Sequence, residues 1–464
     1  HLLSAGSRTL QRHQTLRALI DWSHNLLTEH ERALLRRLSV FAGGWTLEAA
    51  EAVCSDDARH RLILSHAVMH VLDGLVNKSL VVVNPGPPEM RYHMLETIRQ
   101  YAHERLAESA EEAQVRTRHL AHFFGLAQSG EIDVVGREDP AYFKMLETEL
   151  DNLRAALDWS LTGHHNPEDA LRLAGALRFL WYISYQTEGV KRLTAALDKN
   201  EQAPGALRAK ALNGMALIAS FQGNYSQMKK FCQQSATLAR EADDRHETAL
   251  ALELLGVATA MEGDFERGIL LLQETRRLAQ EQKDKWMQGF HCVDLGYALM
   301  QKGDYADAEV ILDDGLRVSY EIGMKINEAY CLTFLAALKM RIGDLQRAKH
   351  NLQESVRIFI EARDRFGPMM SLIYFAELAK VESKLDVAAK LFAAVAAICT
   401  SAGITLFPLE RVTLDRSVAE LRTRLSEASF DGAWAAGQAM TLEQAVAFAL
   451  GPMPSVSDSA GHES

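Results

Sequence analysis

Small and apolar side chains recur every 40 residues through the C-terminal half of the chain. The repeating positions hold a small residue, a glycine, an acidic or amide residue, an aromatic residue or leucine, and then further small and apolar residues. In that order the columns are Ala216, Gly256, Gly296, Ala336 and Ala376; Gly223, Gly263, Gly303, Gly343 and Ser383; Asn224, Asp264, Asp304, Asp344 and Lys384; Tyr225, Phe265, Tyr305, Leu345 and Leu385; Met228, Gly268, Ala308, Ala348 and Ala388; and Cys232, Leu272, Leu312, Leu352 and Phe392. Such a period predicts stacked helical hairpins.

Each column of the repeat has a physical reason. Two antiparallel helices approach closely only where side chains are small, and a glycine at a helix end takes the left-handed conformation. An aspartate or asparagine after it caps the next helix, and the aromatic residue or leucine then fills the seam between the two helices. A single hairpin of this kind leaves its apolar face open, so we expect the repeats to stack into a superhelix.

The pattern resembles the tetratricopeptide repeat, because its small, glycine, aromatic, alanine and apolar positions follow one another at that family's spacings. Two features depart from the usual form. The period is 40 residues, whereas about 34 are usual, and the usual proline near the end of the repeat is absent. The resemblance implies an extended scaffold whose helices are about a turn longer than usual.

The first 110 residues follow a different pattern. Apolar spacing and capping signals predict five helices, which cover Thr15–Leu26, Thr28–Phe41 with a Thr28–x–x–Glu31 capping box, a short stretch from Thr46, Ser65–Asn77 and Leu95–Ala107. The β-branched run Ser79–Asn84, a proline-rich turn over residues 84–88 and the stretch Met90–Met94 predict a β-hairpin. Helices followed by a small hairpin indicate a winged helix.

The predicted fold is all-α: a tetratricopeptide-like superhelical solenoid preceded by a small winged-helix domain with a β-hairpin. We expect the winged helix over residues 1–110, degenerate helical repeats or a connector over 111–200, the repeats of 40-residue period over 201–425, a helical cap over 426–450 and a disordered tail over 451–464. The amphipathic segment Glu149–Trp159 supports the connector helices, and Thr441–x–x–Gln444 is a capping box for the last helix.

Composition narrows the class of protein. Of the 464 residues, 48% are hydrophobic and 24% are charged, as in ordinary soluble proteins. The formal net charge of −11 argues against broad contact with nucleic-acid phosphates. No apolar run is long enough to predict a membrane span. The cysteines lie far apart without a CxxC pair, which predicts buried thiols in a reduced, cytoplasmic protein. They are Cys54, Cys232, Cys292, Cys331 and Cys399.

Candidate catalytic and metal-binding groups are few. His66 and His70 are four residues apart on one predicted helix and His119 and His122 are three apart, but neither pair has the third ligand that a metal site needs. The adjacent histidines at 164–165 fall in a predicted loop, where a solvated pair is expected. No GxxxxGK[ST], GxSxG or HExxH motif occurs, so we predict that this chain is not an enzyme.

The first helix of each predicted hairpin faces the concave side of such an array, which suggests a binding groove. Two columns flank the small residue on that helix. The column before it holds Asn213, Glu253, Val293, Thr333 and Ile373, and the column after it holds Leu217, Val257, Tyr297, Ala337 and Glu377. This mostly apolar groove with two carboxylates suits an apolar or cationic ligand, a partner helix or another domain of the same protein. Alternatively, several of these side chains pack between helices.

A second resemblance covers nearly the whole chain. The strings Gln14–Ser23 and Glu31–Ala50, the pattern Leu72–x–x–Leu75–Val76–x–Lys78–Ser79–Leu80 and the stretch Tyr92–Ala102 look like bacterial signal-transduction ATPases of the STAND class, among them LuxR-type transcriptional regulators. The segment Glu149–Trp159 and the closing helix Met440–Leu450 resemble the same family.

That resemblance implies an array that senses an inducer or a protein partner, and a winged helix that couples it to the protein's own nucleotide-binding domain. Because no phosphate-binding loop occurs, ATP or ADP is expected on a domain missing from this chain, which begins at His1 and is expected to be a fragment. In related ATPases a Met-His-Asp motif touches the nucleotide, and Met94-Leu95-Glu96 stands at that place here. DNA is expected to contact only modules outside the chain.

Two other functions stay open beside a sensor and coupling region of a bacterial regulator. DNA binding by the winged helix would use the predicted recognition helix His66–Lys78, which carries one lysine, one aspartate and no arginine. Several basic or amide side chains are usual on such a helix. A receptor for short peptides, as in quorum sensing, would need a more polar groove than this sequence offers.

Overall fold

The protein is described from a computed structural model. The structure describes residues 17–56, 62–86, 90–134, 140–162, 166, 168–362, 364, 366–402, 406 and 408–451. It divides into two compact units: unit 1 is His1–Glu131, Ala141–Leu180 and Lys191–Ala203, and unit 2 is Ile132–Pro140, Trp181–Val190 and Pro204–Ser464. Except for Gly451, the tail predicted to be disordered lies outside the described residues, as do the histidines at 164–165.

Unit 1 begins with the winged helix. Its helices are α1 (residues 17–25), α2 (Glu29–Leu38), α3 (Leu47–Cys54), α4 (Ser65–Asn77) and α5 (Glu96–Ala107). Its strands are β1 (Trp45–Thr46), β2 (Val82–Asn84) and β3 (Arg91–His93). They form an antiparallel sheet in the order β1-β3-β2, in which Tyr92 lies opposite both Trp45 and Val83.

The winged-helix prediction is confirmed, with local differences. The Thr28 side chain caps α2 through the predicted box with Glu31, but α2 ends at Leu38 because the chain turns to bring Phe41 against Trp45, with ring centroids 5.3 Å apart. The hairpin strands are shorter than predicted, since Ser79 has a φ of 58° and interrupts the first one. Strand β1 was not predicted, because two residues are too few to show alternation. The predicted start of the first helix lies outside the described residues.

Six helices follow the winged helix. They are α6 (Glu112–Val134), α7 (Pro140–Thr148), α8 (Leu150–Ser160), α9 (Asp169–Ala176), α10 (Arg178–Ser184) and α11 (Gln186–Lys199). Residues of α10 and α11 are divided between the two units. Helix α6 completes the core of unit 1, where His119 and Phe123 pack against the Phe41 ring at centroid distances of 5.3 and 6.2 Å.

Unit 2 consists mainly of five helical hairpins with the predicted 40-residue period, so the predicted fold class is confirmed. The hairpins pair α12 (Gly205–Phe221) with α13 (Tyr225–Glu241), α14 (Arg245–Met261) with α15 (Phe265–Glu281), α16 (Lys285–Lys302) with α17 (Tyr305–Ile322), α18 (Lys325–Arg341) with α19 (Leu345–Glu361), and α20 (Gly367–Val381) with α21 (Leu385–Ala402). Successive first helices pack against one another and form the inner side of the array.

The turn inside each hairpin has the predicted left-handed residue. The φ values are 67° at Gly223, 97° at Gly263, 99° at Gly303, 83° at Gly343 and 61° at Ser383. The side chains of Asn224, Asp264 and Asp344 cap the helices that follow, whereas the Asp304 side chain makes no such bond. These turns fix the angle at which each second helix returns.

Small residues allow the two helices of a hairpin to touch. A Cβ on Gly296 would lie 2.5 Å from the Leu312 Cγ, and one on Gly256 would lie 2.8 Å from the Leu272 Cγ. Both leucines are fully buried. The contact therefore depends on the absence of a side chain at these two positions.

Three helices end the described chain: α22 (Pro408–Arg424), α23 (Glu427–Gln438) and α24 (Leu442–Leu450). The Thr441 side chain forms the predicted capping box with Gln444. Among the described helices, α21 is long and apolar enough to cross a membrane by length and composition. It is also the second helix of the fifth hairpin and packs against α20 and α23, as a core helix does.

Candidate functional site

The first predicted groove column lies inside the helix packing of unit 2. Its members Asn213, Glu253, Val293, Thr333 and Ile373 are all buried. Asn213 donates to the Glu247 backbone oxygen at 3.0 Å and to the Glu247 carboxylate at 2.8 Å. The Thr333 hydroxyl lies 3.1 Å from the Ser371 hydroxyl. These side chains join neighbouring first helices rather than facing an open groove.

The second column lies nearer the inner surface. Val257 and Glu377 are half-buried, whereas Leu217, Tyr297 and Ala337 are buried. Tyr297 belongs to α16 and Glu377 to α20, and both contact α22. The structure therefore brings two predicted groove residues together against one helix that the sequence did not identify as their partner.

Helix α22 binds to the array through Glu410. The Tyr297 hydroxyl donates to one Glu410 carboxylate oxygen at 3.0 Å, and the Tyr374 hydroxyl donates to the other at 3.4 Å. Between these two tyrosines lies Phe334 of α18, with ring centroids 5.1 Å from Tyr297 and 6.5 Å from Tyr374. The binding site for Glu410 therefore includes residues from the first helices of three successive hairpins.

A second set of polar contacts holds the middle of α22. Ser417 is buried and contacts both Glu377 and Lys380 of α20; the Lys380 Nζ lies 2.7 Å from the Ser417 hydroxyl. Lys380 also pairs with Glu420 at 2.8 Å. Two buried leucines, Leu414 and Leu421, complete the contact, and each contributes about 1.5–3 kcal/mol by leaving water.

The buried face of α22 has helical spacing. Glu410, Leu414, Ser417 and Leu421 are separated by four, three and four residues, so they form one stripe along the helix. Asp415 is exposed, and its carboxylate pairs with Arg411 at 3.0 Å. The array thus holds this helix by one narrow face.

Burial raises the pKa of the ionisable side chains where Glu410 contacts the array. It raises the pKa of the Glu410 carboxyl to about 7, although the bonds from Tyr297 and Tyr374 oppose the shift. Burial also raises the pKa of Tyr225 to about 12, and the nearby Glu410 carboxylate adds to that rise. Among the described residues no cation faces the Glu410 carboxylate, so its charged form is the costly one.

A second acidic cluster lies deeper in unit 2. Glu253 and His291 are fully buried, with the His291 Nδ1 3.9 Å from a Glu253 oxygen. Among the described residues, neither Glu253 oxygen nor either His291 ring nitrogen has a hydrogen-bond partner. Burial raises the pKa of Glu253 well above its usual value, with the Asp294 carboxylate acting in the same direction, and lowers the pKa of His291 to about 3. The histidine is therefore neutral and forms no ion pair with Glu253.

A polar joint links the winged helix to α8 within unit 1. The Ala42 backbone N–H donates to the Asn152 side-chain oxygen at 2.8 Å, and the Asn152 amide nitrogen donates to the Gly44 carbonyl at 2.8 Å. Glu149, the residue before α8, pairs with Arg91 on β3. The predicted amphipathic segment therefore also ties α8 to the loop and the wing.

The candidate recognition helix α4 has an unsuitable surface for phosphate binding. His66, Met69, His70 and Asp73 are exposed on it. Lys78, which follows it, pairs with Glu31. Elsewhere in the described part of residues 17–107, every arginine forms an ion pair with a carboxylate, apart from Arg32, which donates to two backbone carbonyls.

The remaining candidate groups have structural environments. His119 is buried between aromatic rings, and burial lowers its pKa to about 3. Among the described residues, no group of three or more potential ligands is arranged to hold a metal ion. All five cysteines are buried and unpaired, as predicted. Leu95, at the place of the motif histidine, is 55% exposed at the start of α5.

Comparisons with known proteins agree with this architecture. Residues 27–107 match the family described as the winged helix-turn-helix domain. A Mycobacterium tuberculosis protein named as an HTH-type transcriptional regulator is 36% identical over 268 residues, which are 56% of this chain and 30% of that protein. An uncharacterized protein of the same organism is 40% identical over 118 residues, covering 25% of this chain and 29% of that protein. The chain thus spans about 30% of the length of these curated relatives.

A solved structure among those that this chain resembles shares its fold. It is the crystal structure of a STAND protein with a tetratricopeptide repeat sensor from Pyrococcus horikoshii, with a TM-score of 0.50 at 13% sequence identity. The match covers 89% of this chain and 66% of that chain. At this identity the similarity shows the arrangement of helices alone.

Proposed function

We propose that this chain is the sensor and coupling region of a bacterial transcriptional regulator of the LuxR-type STAND class. In this proposal the repeat array receives a protein partner or an inducer on its inner face. One observation carries it: the inner face holds a helix by buried polar and apolar contacts that extend from α16 to α20. A solenoid repeat ordinarily contacts only its neighbours, so a face that binds a helix across three hairpins is suited to recognition.

The winged helix transmits the signal in this proposal. The Asn152 joint and the Arg91–Glu149 pair tie it to α8. Leu19 and Trp22 of α1, and Leu26 just after it, are 58%, 64% and 60% exposed at helical spacing. Such an exposed apolar stripe suits docking against a further domain. We propose the protein's own nucleotide-binding domain, carrying ATP or ADP, as its partner.

The sensor function is tested in the full-length regulator. Val257 is half-buried in the second groove column, whereas Val310 on α17 is 65% exposed. Genes whose transcript levels change when the regulator is deleted report its activity. Val257→Lys should give the transcript levels of the deletion strain, while Val310→Lys should give those of the wild type. Equal melting temperatures of the two variants would show that both fold. An unchanged response with Val257→Lys would contradict the proposal.

DNA binding by the winged helix is the second candidate function, and the family description of residues 27–107 favours it. The surface of α4 opposes it, since Asp73 is exposed there and Lys78 is paired. We expect no mobility shift of a mixed-sequence duplex by micromolar chain at low salt, where phosphate contacts are strongest. A shift that Lys78→Ala weakens would establish this second function instead.

A further inference from the structure

Helix α22 contacts a part of the array that is remote in sequence. Tyr297 and Glu410 are 113 residues apart, almost three repeat periods. Ordinary stacking would bring α22 against the hairpin that precedes it, which it does through α20 and α21. The Tyr297–Glu410 bond therefore shows that α22 also crosses the inner face toward the third hairpin, as a bound helix would.

The contact has the pattern of a helix bound in a groove. An acidic side chain at Glu410 meets two hydroxyl donors, apolar side chains follow four and eleven residues later at Leu414 and Leu421, and a small polar side chain, Ser417, meets Lys380. Helix-in-groove recognition uses anchors at these spacings. The array supplies matching groups: two tyrosine hydroxyls, an aromatic bridge from Phe334 and an ammonium group.

We propose that α22 is an internal competitor for the helix-binding site of the array, and that the partner is an amphipathic helix with a carboxylate, two leucines and a small polar residue along one face. This inference rests on the proposed sensor function and names the class of partner. In the unbound protein α22 occupies the site, and a partner helix of the same pattern displaces it.

The balance of contacts favours exchange. The outer face of α22 is polar or exposed, with Arg411, Asp415 and Arg416 among its residues, so release exposes only one narrow stripe. Docking of α22 buries the Glu410 carboxylate, whose partners are two hydroxyl groups rather than a cation. The cost of this burial weakens the docked state. Because α22 belongs to the same chain as the array, its effective concentration at the site is high. A partner helix can therefore replace α22 only if α22 binds weakly.

The test uses the full chain and a fluorescent peptide with the sequence of residues 408–424. Glu410→Lys in the chain places a cation between the tyrosines and releases α22, while Asp415→Lys makes the same change on its exposed face. By anisotropy we expect the peptide to bind the Glu410→Lys chain roughly tenfold or more tightly than the wild type, because the internal competitor is gone. The Asp415→Lys chain should bind like the wild type.

Hydrogen exchange of residues 408–424 and of α12–α21 accompanies the titration. We expect Glu410→Lys to lose protection in α22 alone, and a peptide that itself carries Glu410→Lys not to bind. Protection retained in α22, or lost without any gain in peptide affinity, would overturn the proposal. If Glu410→Lys unfolds the array, Leu421→Ala replaces it with the same expectations.

The outcomes separate this inference from the proposed function. Peptide capture is measured on the isolated chain, whereas the sensor function is measured as a transcriptional response of the full-length regulator. Peptide capture together with an unchanged response of the Val257→Lys regulator would leave a helix-binding site and remove the sensor role. The reverse result would keep the sensor role and remove α22 as the competitor.

Discussion

The two units differ in whether their buried carboxyl groups have a cationic partner. In unit 1, the Arg37 guanidinium lies 2.9 Å from Asp56 and 2.8 Å from Glu111, and the arginines hold the pKa of Glu111 down at about 2 despite partial burial. Among the described residues of unit 2, no such cation pairs with Glu253, Asp294 or Glu410, and burial raises the pKa of each. Paired charges suit a fixed structure. Of these carboxyls, Glu410 joins α22 to the inner face of the array, so that contact lacks the charge pairing that holds unit 1.

The largest expected effect comes from breaking the paired charges of unit 1. Arg37→Met leaves the Asp56 side chain, only 3% exposed, without its cation. Loss of one partner of a buried pair costs about 3–5 kcal/mol. We expect that fall in the free energy of unfolding of unit 1 in a denaturant titration followed by hydrogen exchange.

The control for this prediction lies on the same winged helix. Arg105 pairs with Glu108 on the surface, where the two side chains are 31% and 60% exposed. Exposed pairs contribute about 0–1 kcal/mol, so Arg105→Met should have little effect. Equal losses from the two substitutions would show that burial does not distinguish these pairs.

The two units should also respond to pH in opposite directions. The lowered pKa of Glu111 stabilises unit 1 above pH 4.5, and that contribution is lost as pH falls toward about 2. The raised pKa values of Asp294, about 6, and Glu410, about 7, give contributions that are complete below the unfolded values near 4 and are lost as pH rises through 6 and 7.

We therefore expect unit 2 to lose about 2 kcal/mol between pH 5 and pH 8, because the loss from Asp294 and Glu410 exceeds the opposite effect of His291, whose pKa is lowered to about 3. Unit 1 should gain about 2 kcal/mol over that range, because burial lowers the pKa of His119 to about 3 while the unfolded histidine titrates near 6.5. Glu410→Gln should reduce the slope for α22, because the amide cannot ionise, whereas Asp415→Asn on the exposed face should not. Hydrogen exchange corrected for the intrinsic effect of pH measures both. A flat profile for unit 2 in the wild type would remove the contrast.

Local sequence signals predicted most of the fold. The glycine column predicted the left-handed turns, and the column of Ala216, Gly256 and Gly296 predicted the close helix contacts. Each of these features depends on a few neighbouring residues, so the sequence pattern carries it directly. The two-residue strand β1 was missed because its partner, β3, lies 45 residues further on.

The candidate site was less predictable because its contacting residues also lie far apart in the sequence. Tyr297 and Glu377 were identified as groove residues, but nothing near them in sequence indicates α22 as the helix they contact. The stripe Glu410, Leu414, Ser417 and Leu421 is half polar, so no apolar pattern in the sequence indicates which face of α22 is buried. Its place on the inner face depends on contacts with residues up to 113 positions away in the sequence, which no single repeat encodes.

A third prediction concerns the apolar packing between the two helices of a hairpin. Gly296→Ala would bring a Cβ to within 2.5 Å of Leu312, whereas nothing lies within 4 Å of the corresponding position at Gly432 on α23. Overpacking costs about 1–3 kcal/mol. Gly432→Ala should instead stabilise its helix by up to about 1 kcal/mol. Thermal unfolding of the two variants gives opposite shifts if small-residue contacts hold the hairpins together.

The smallest effect should come from the turns that connect successive helices of the array. Lys283 has a φ of 56° in the turn between α15 and α16, and Gly263 has a φ of 97° in the turn before α15. Lys283→Gly relieves the strain of a left-handed side chain and should stabilise unit 2 by up to about 1 kcal/mol, whereas Gly263→Ala introduces that strain and should destabilise it by about 1 kcal/mol. Nothing lies within 4 Å of a Cβ on Gly263, so packing does not contribute to that change. Denaturant midpoints that shift in the same direction for both variants would show that backbone strain does not set the stability of these turns.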